Sequence, residues 1–98
     1  MKNALEIVTF KIKDGVMLPD FLKAAAELEE GFAKKQEGFL CRTFGRGEGN
    51  DWVDVIRWQT MADAEAASKA AMQSAACAPM FGMIDEPSVK MMHFEILS

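Results

Sequence analysis

Two segments at opposite ends of this chain, residues 4–13 and 89–97, are apolar at both odd and even positions. In the first, Val8, Phe10 and Ile12 share one parity, and Leu5 and Ile7 take the other. In the second, Val89, Met91 and Leu97 stand against Met92, Phe94 and Ile96. Side chains alternate across a strand, so strands of this kind are covered on both faces. Two further β-rich runs, 39–44 and 52–58, flank a loop at 45–51 that holds three glycines, Asn50 and Asp51. That pattern reads as a hairpin.

The intervening segments are helical. Pro19 suits a first helical turn, where its missing N–H is not needed. Phe21, Ala25, Leu28 and Phe32 then recur at helical spacing, Leu22 widens the stripe, and Lys23, Glu27, Glu30 and Lys34 take the wet side. Gly31 weakens this helix by about 1 kcal/mol relative to Ala, and Gly38 is placed to end it in the left-handed conformation. Thr60 with Asp63 three residues on resembles a capping box for a second helix over 61–76. Its inner face is alanine: Ala64, Ala67, Ala71 and Ala75. Pro79 is expected to stop it, residues 80–84 to form a short apolar connection, and Asp85-Glu86-Pro87 to turn the chain into the last strand.

The order is therefore β-α-β-β-α-β in a single domain over residues 1–98. This is an α+β, ferredoxin-like arrangement: a four-stranded antiparallel sheet with two helices on one face. Two helices cover one face, yet the strands are apolar on both. The second face is expected to pack against a second copy, giving a homodimer through the sheet.

Charge and cysteine content exclude several functions. Fifteen acidic against eleven basic residues leave a net charge of −4, with no Lys/Arg cluster. Nucleic acid and anionic membrane surfaces both need an electropositive footprint, so neither is an expected partner. No apolar run is long enough to span a bilayer, and Glu6 interrupts the N-terminal apolar stretch. A cytoplasmic domain is expected. Cys41 and Cys77 read as free thiols, and two cysteines with one histidine fall short of a four-ligand metal set. The glycine-rich loop opens a strand rather than a helix, which is wrong for a phosphate cradle. No nucleophile elbow surrounds any serine. No cofactor or metal is expected.

Four residues are candidates for chemistry. His93 is the single histidine, and histidine is the side chain that ordinarily titrates near neutral pH. It reads either as a strand histidine held within the fold or as a pocket base. Trp52, Asp54, Ile56 and Trp58 share one parity of their strand, and a like-parity hairpin register would bring Arg42 opposite Asp54. The plainer reading is an ordinary cross-strand ion pair of roughly 0.2–1 kcal/mol. The functional reading is a polar pair at the floor of an apolar pocket, orienting a phenol or carbonyl group. Trp52, Phe32, Ala67 and Ala71 would line that pocket for a small aromatic molecule. Met80, Phe81 and Met83 read most simply as core or dimer packing, and equally as the adaptable lip of that pocket.

The run Gly38-Phe39-Leu40-Cys41-Arg42-Thr43, the run Trp52-Val53-Asp54-Val55-Ile56-Arg57-Trp58, the opening of the second helix at Asp63-Ala64-Glu65-Ala66-Ala67, the segment Ala78-Pro79-Met80-Phe81 and the C-terminal His93 together carry a resemblance. The chain resembles the antibiotic biosynthesis monooxygenase-like group of dimeric α+β barrels, over nearly its whole length. The resemblance implies that fold, a dimer, and a cofactor-independent monooxygenase or related isomerase acting on a small aromatic or polyketide-like substrate. In that chemistry Trp58 would stack on the substrate, and His93 or the Arg42–Asp54 pair would promote a substrate anion that reacts with oxygen directly. The quinone-forming members use Asn, Trp, Arg and often Tyr; this chain has no Tyr, and its asparagines are Asn3 and Asn50. His93 lies on the last strand, which does not suit the haem-degrading members. A non-catalytic binding or structural homodimer is the alternative.

Overall fold

The computed structural model describes residues 2–98. Its strands are β1 (Ala4–Lys11), β2 (Phe39–Arg46), β3 (Asp51–Trp58) and β4 (Lys90–Glu95), all antiparallel and ordered β2-β3-β1-β4. Its helices are α1 (Leu18–Gly31), α2 (Met61–Ala71) and α3 (Ala78–Met83), with short 3₁₀ turns at Ala33–Lys35 and Glu86–Ser88. This is the ferredoxin-like α+β fold expected from the element order. Among the described residues, no helix is long and apolar enough to cross a membrane.

Strand parity assigns the two faces. Ala4, Glu6 and Phe10 of β1 and Trp52, Asp54, Ile56 and Trp58 of β3 are buried beneath the helices. Leu5, Ile7, Val53 and Val55 point the other way and are half-buried, while Met92 and Phe94 beside them are 42% and 48% exposed. Register places Glu6 between Ile56 on β3 and His93 on β4. Val8 lies between Asp54 and Met91.

Several local expectations are corrected. The hairpin closes on the Arg46–Trp52 pair, so Arg42 faces Ile56 and Phe44 faces Asp54, and a bulge between Phe39 and Cys41 shifts the pairing only beyond Arg42. Helix α1 ends at Gly31, seven residues before Gly38. Gly31 is there for close approach: a Cβ at this position would lie 2.9 Å from the Ala76 Cβ. Gly38 does take the left-handed conformation, at φ +83°, but it turns the chain into β2. Leu22 is 45% exposed, and the buried stripe is Phe21, Ala24, Ala25 and Leu28. Helix α2 begins as expected, with Thr60 Oγ1 accepting from the Asp63 N–H at 3.1 Å. It ends at Ala71 rather than near 76, leaving Ala75 exposed. Pro79 sits in the first turn of α3 and so helps start that helix.

The interior divides into two apolar groups. One gathers Phe10, Phe21, Leu28, Phe32, Trp52 and Met80; the other gathers Ala4, Ile56, Trp58, Ala64 and Ala67. A cavity is lined by members of both.

Candidate functional site

The cavity, open to solvent on one side, has a volume of about 510 Å³ between the sheet and the helices. Glu6, Val8, Asp54, Ile56 and Trp58 form its floor, from alternate positions of β1 and β3. Leu28 of α1, the neighbouring Phe32, and Ala67 and Ala71 of α2 wall it. Cys77, Met80 and Phe81 close one side. Alanine on α2 matters here, because its short side chain leaves open the volume that a larger residue would occupy. The exposed Lys13 and Glu86 mark where the cavity meets solvent.

Two carboxylates lie on this largely apolar floor. Glu6 is 7% and Asp54 8% exposed. The Trp58 indole Nε1–H donates to Glu6 Oε1 at 3.1 Å, and His93 Nε2 stands 3.4 Å from the same oxygen. Burial pushes the Glu6 carboxyl above its ordinary range, and the Asp54 charge adds to that. The neighbouring His93 and the Trp58 bond work against the rise. Asp54 is held by Arg42, whose Nε and Nη2 donate at 2.8 and 2.6 Å.

The sequence-derived candidates therefore separate. Trp58, Asp54, Phe32, Ala67, Ala71, Met80 and Phe81 line one cavity. Trp52 does not: it stacks on Phe44 at 5.5 Å between ring centroids, and packs edge-on against Phe21 at 5.0 Å. Met83 packs against the core from α3, outside the cavity wall. Arg42 and His93 also lie off the wall and act on it through Asp54 and Glu6. Arg42 is committed elsewhere as well, since Nη1 donates to the Ala25 carbonyl at 2.8 Å.

Glu6 is the wall residue that the sequence reading passed over, taking it as an interruption of an apolar stretch. Its parity was the available signal. It shares a face with Ala4, Val8 and Phe10, and a carboxylate at the centre of a covered face is costly unless partnered or used.

Cys77 is fully buried, and burial pushes its thiol pKa up, away from the reactive thiolate. Cys41 is exposed, and both cysteines are free. Among the described residues, no group of three or more His, Cys, Asp or Glu side chains could hold a metal ion.

No protein-family model matches the chain, and no curated protein matches it. Solved structures do. A Bordetella bronchiseptica protein provisionally named an antibiotic biosynthesis monooxygenase superimposes with a TM-score of 0.81 at 15% identity, over 100% of both chains. SnoaB from Streptomyces nogalater, described as a cofactor-independent oxygenase, gives 0.66 at 15% identity, over 100% of this chain and 94% of its own. A dimeric ferredoxin-like protein of unknown function from Thermobifida fusca gives 0.73 at 15% identity, over 97% and 92%. The fold is the one expected from the resemblance read in the sequence.

Proposed function

We propose that the cavity binds a small, flat aromatic molecule with an ionisable proton, and that the chain oxygenates it without a bound cofactor. The observation that carries this reading is a largely apolar cavity of about 510 Å³ over two buried, partnered carboxylates. A largely apolar enclosure with a few convergent polar groups is how proteins hold and orient small molecules. The fold likeness to SnoaB, a protein described as a cofactor-independent oxygenase, supports the reaction class.

For an anthrone-type substrate, the ring methylene loses a proton and leaves a delocalised anion. That anion supplies the electrons to oxygen, and with one proton returned a carbon-bound hydroperoxide forms. Loss of water from the hydroperoxide leaves the carbonyl. One oxygen atom enters the product and the other leaves as water. The apolar walls limit the water around the anion, and Trp58 lies on the floor beneath it. The sheet face opposite the helices packs on a second copy in this reading, as its apolar residues require.

Oxygen uptake with anthrone is the test. The purified protein should raise uptake well above the spontaneous rate, and Trp58→Phe should lower it while leaving the assembly unchanged. Uptake at the buffer rate across a panel of anthrones and hydroquinones would overturn the oxygenase reading. Binding of these compounds without uptake would instead favour a non-catalytic binding protein, a reading that the absence of Tyr and of a strand Asn supports.

A further inference from the structure

We infer that Glu6 is the group that meets the ligand's acidic hydrogen, so that the cavity selects molecules presenting a hydroxyl or similarly acidic hydrogen over their capped counterparts. This rests on the cavity reading above and narrows it to a substrate class.

The argument is one of remaining hydrogen-bonding capacity. Both contacts to Glu6, from Trp58 and from His93, fall on Oε1. Among the described residues no donor reaches Oε2. Trp52 Nε1 is the buried side-chain nitrogen or oxygen sealed without a partner, and Oε2 is not in that state. Oε2 is therefore open, and Glu6 lies on the cavity floor. A carboxylate oxygen accepts hydrogen bonds and donates none when ionised, so what it can take from a ligand is a hydrogen.

The other polar groups are less available. Asp54 gives both oxygens to the Arg42 fork. The Lys13 ammonium bonds the Gly82 carbonyl at 2.9 Å. His93 faces Glu6 across the β1–β4 ladder and lies off the cavity wall. It is a positioning residue: it fixes one carboxylate oxygen, with Trp58, and leaves the other free.

The groups around Glu6 set the sign of its pH response. Asp54 on β3 raises its pKa and His93 on β4 lowers it. α1 and α2 face the cavity with the uncharged Leu28, Ala67, Ser68 and Ala71. Lys13, Asp85 and Glu86 contribute the remaining charges on the wall. When the ligand proton moves, its O–H bond breaks as a bond to Oε2 forms. The electron pair stays on the ligand oxygen, and His93 and Trp58 hold the carboxyl in place throughout.

The probes are 1-naphthol and 1-methoxynaphthalene, titrated by calorimetry into the full chain between pH 5 and 8. The naphthol should bind roughly tenfold more tightly or better, as expected for a hydrogen bond to a charged acceptor. Glu6→Gln keeps an oxygen for Trp58 but puts an amide donor where Oε2 stood. It should remove the preference while leaving ether affinity within about twofold, since the apolar contacts remain. In the wild-type protein the preference should fade as pH falls and Glu6 protonates. His93→Gln should move that midpoint upward, because it removes the neighbour that lowers the Glu6 pKa; an unmoved midpoint overturns the role given to His93. Equal binding of the two probes would overturn the assignment of Glu6 and leave the cavity reading intact. Binding of neither would overturn both. If Glu6→Gln does not fold, the wild-type ratio and its pH dependence still decide.

Discussion

Arg42 closes a two-point fork on Asp54, with Nε on Oδ1 at 2.8 Å and Nη2 on Oδ2 at 2.6 Å. The two residues are not directly opposed; the hairpin register sets them on a diagonal, and the long guanidinium side chain spans it. That side chain is 2% exposed. Burial works against its charge, but the bonds it donates to Asp54 and the nearby Glu29 more than restore it, and its pKa stands above the ordinary arginine value. The same guanidinium reaches the Ala25 carbonyl, so one residue ties β2, β3 and α1 together.

Arg42→Ala should therefore cost about 3–5 kcal/mol, because it strands a buried carboxylate. Arg42→Lys should recover little, since a point charge cannot reproduce the planar fork. Replacing both partners, Arg42→Met with Asp54→Leu, should cost much less than Arg42→Ala alone. Urea denaturation at a fixed protein concentration measures all three. An alanine variant within 1 kcal/mol of wild type would contradict the arrangement.

Glu6 should weaken the fold at neutral pH. Its folded pKa is raised above the ordinary 4.5, with burial as the main cause. Between the unfolded and folded values the native state binds more protons, so stability falls as pH rises through that window. Glu6→Gln removes the ionisation and should flatten this part of the profile, leaving the variant more stable than wild type at pH 7. Melting temperatures measured from pH 4 to 8 would show it. A wild-type profile that rises with pH over this range, with the rise lost in Glu6→Gln, would mean that the carboxylate stabilises the fold instead.

Periodicity made the fold legible. Apolar residues on both parities of the end strands, the glycine hairpin and the Thr60 cap are local signals, and each marks a real element. The site was legible in part, for a physical reason. Parity placed Trp58, Asp54 and Arg42 on one face, but Trp52 shares that parity and still lies away from the cavity, because Phe21 and Phe44 fill the space beside it. Arg42 faces Ile56 rather than Asp54 because the hairpin closes on the Arg46–Trp52 pair, and a glycine-rich loop marks a hairpin without fixing the pair on which it closes. Glu6 was passed over because its partners lie 52 and 87 residues away. A charge inside an apolar run looks like an interruption until the strands carrying Trp58 and His93 are set beside it.

Gly38 should tolerate no side chain. It adopts φ +83°, and a Cβ there would lie 2.1 Å from Asp63 Oδ2 and 2.7 Å from Asp63 Cβ. Left-handed backbone costs a non-glycine residue roughly 1–2 kcal/mol before any clash. Asp63 is also tied by its N–H to Thr60 and cannot withdraw without disturbing the first turn of α2. Gly38→Ala should therefore destabilise by about 2 kcal/mol or more. Gly15→Ala is the control: it shares a left-handed φ of +84° but has nothing within 4 Å. It should show the smaller, purely conformational loss. Equal losses at the two positions would remove the steric contribution assigned to Asp63.

The sheet face away from the helices should be an interface between two copies. Leu5, Ile7, Val53 and Val55 lie at its centre, with Met92 and Phe94 beside them, and the chain's helices all pack on the other side. Water against such a face costs about 25 cal/mol per Å² of apolar surface, a cost relieved when two copies meet. Val55 pairs with Ile7 on β1 and with Thr43 on β2, which puts it well inside the face. Light scattering at micromolar concentration should give twice the chain mass for the wild-type protein. Val55→Lys brings a charge into the interface, and because obligate dimers often have no stable folded monomer, it should lose structure along with assembly. Circular dichroism distinguishes that result from simple dissociation. A wild-type protein that is monomeric, fully folded and unchanged in mass up to high concentration would show that this face stands on its own in water.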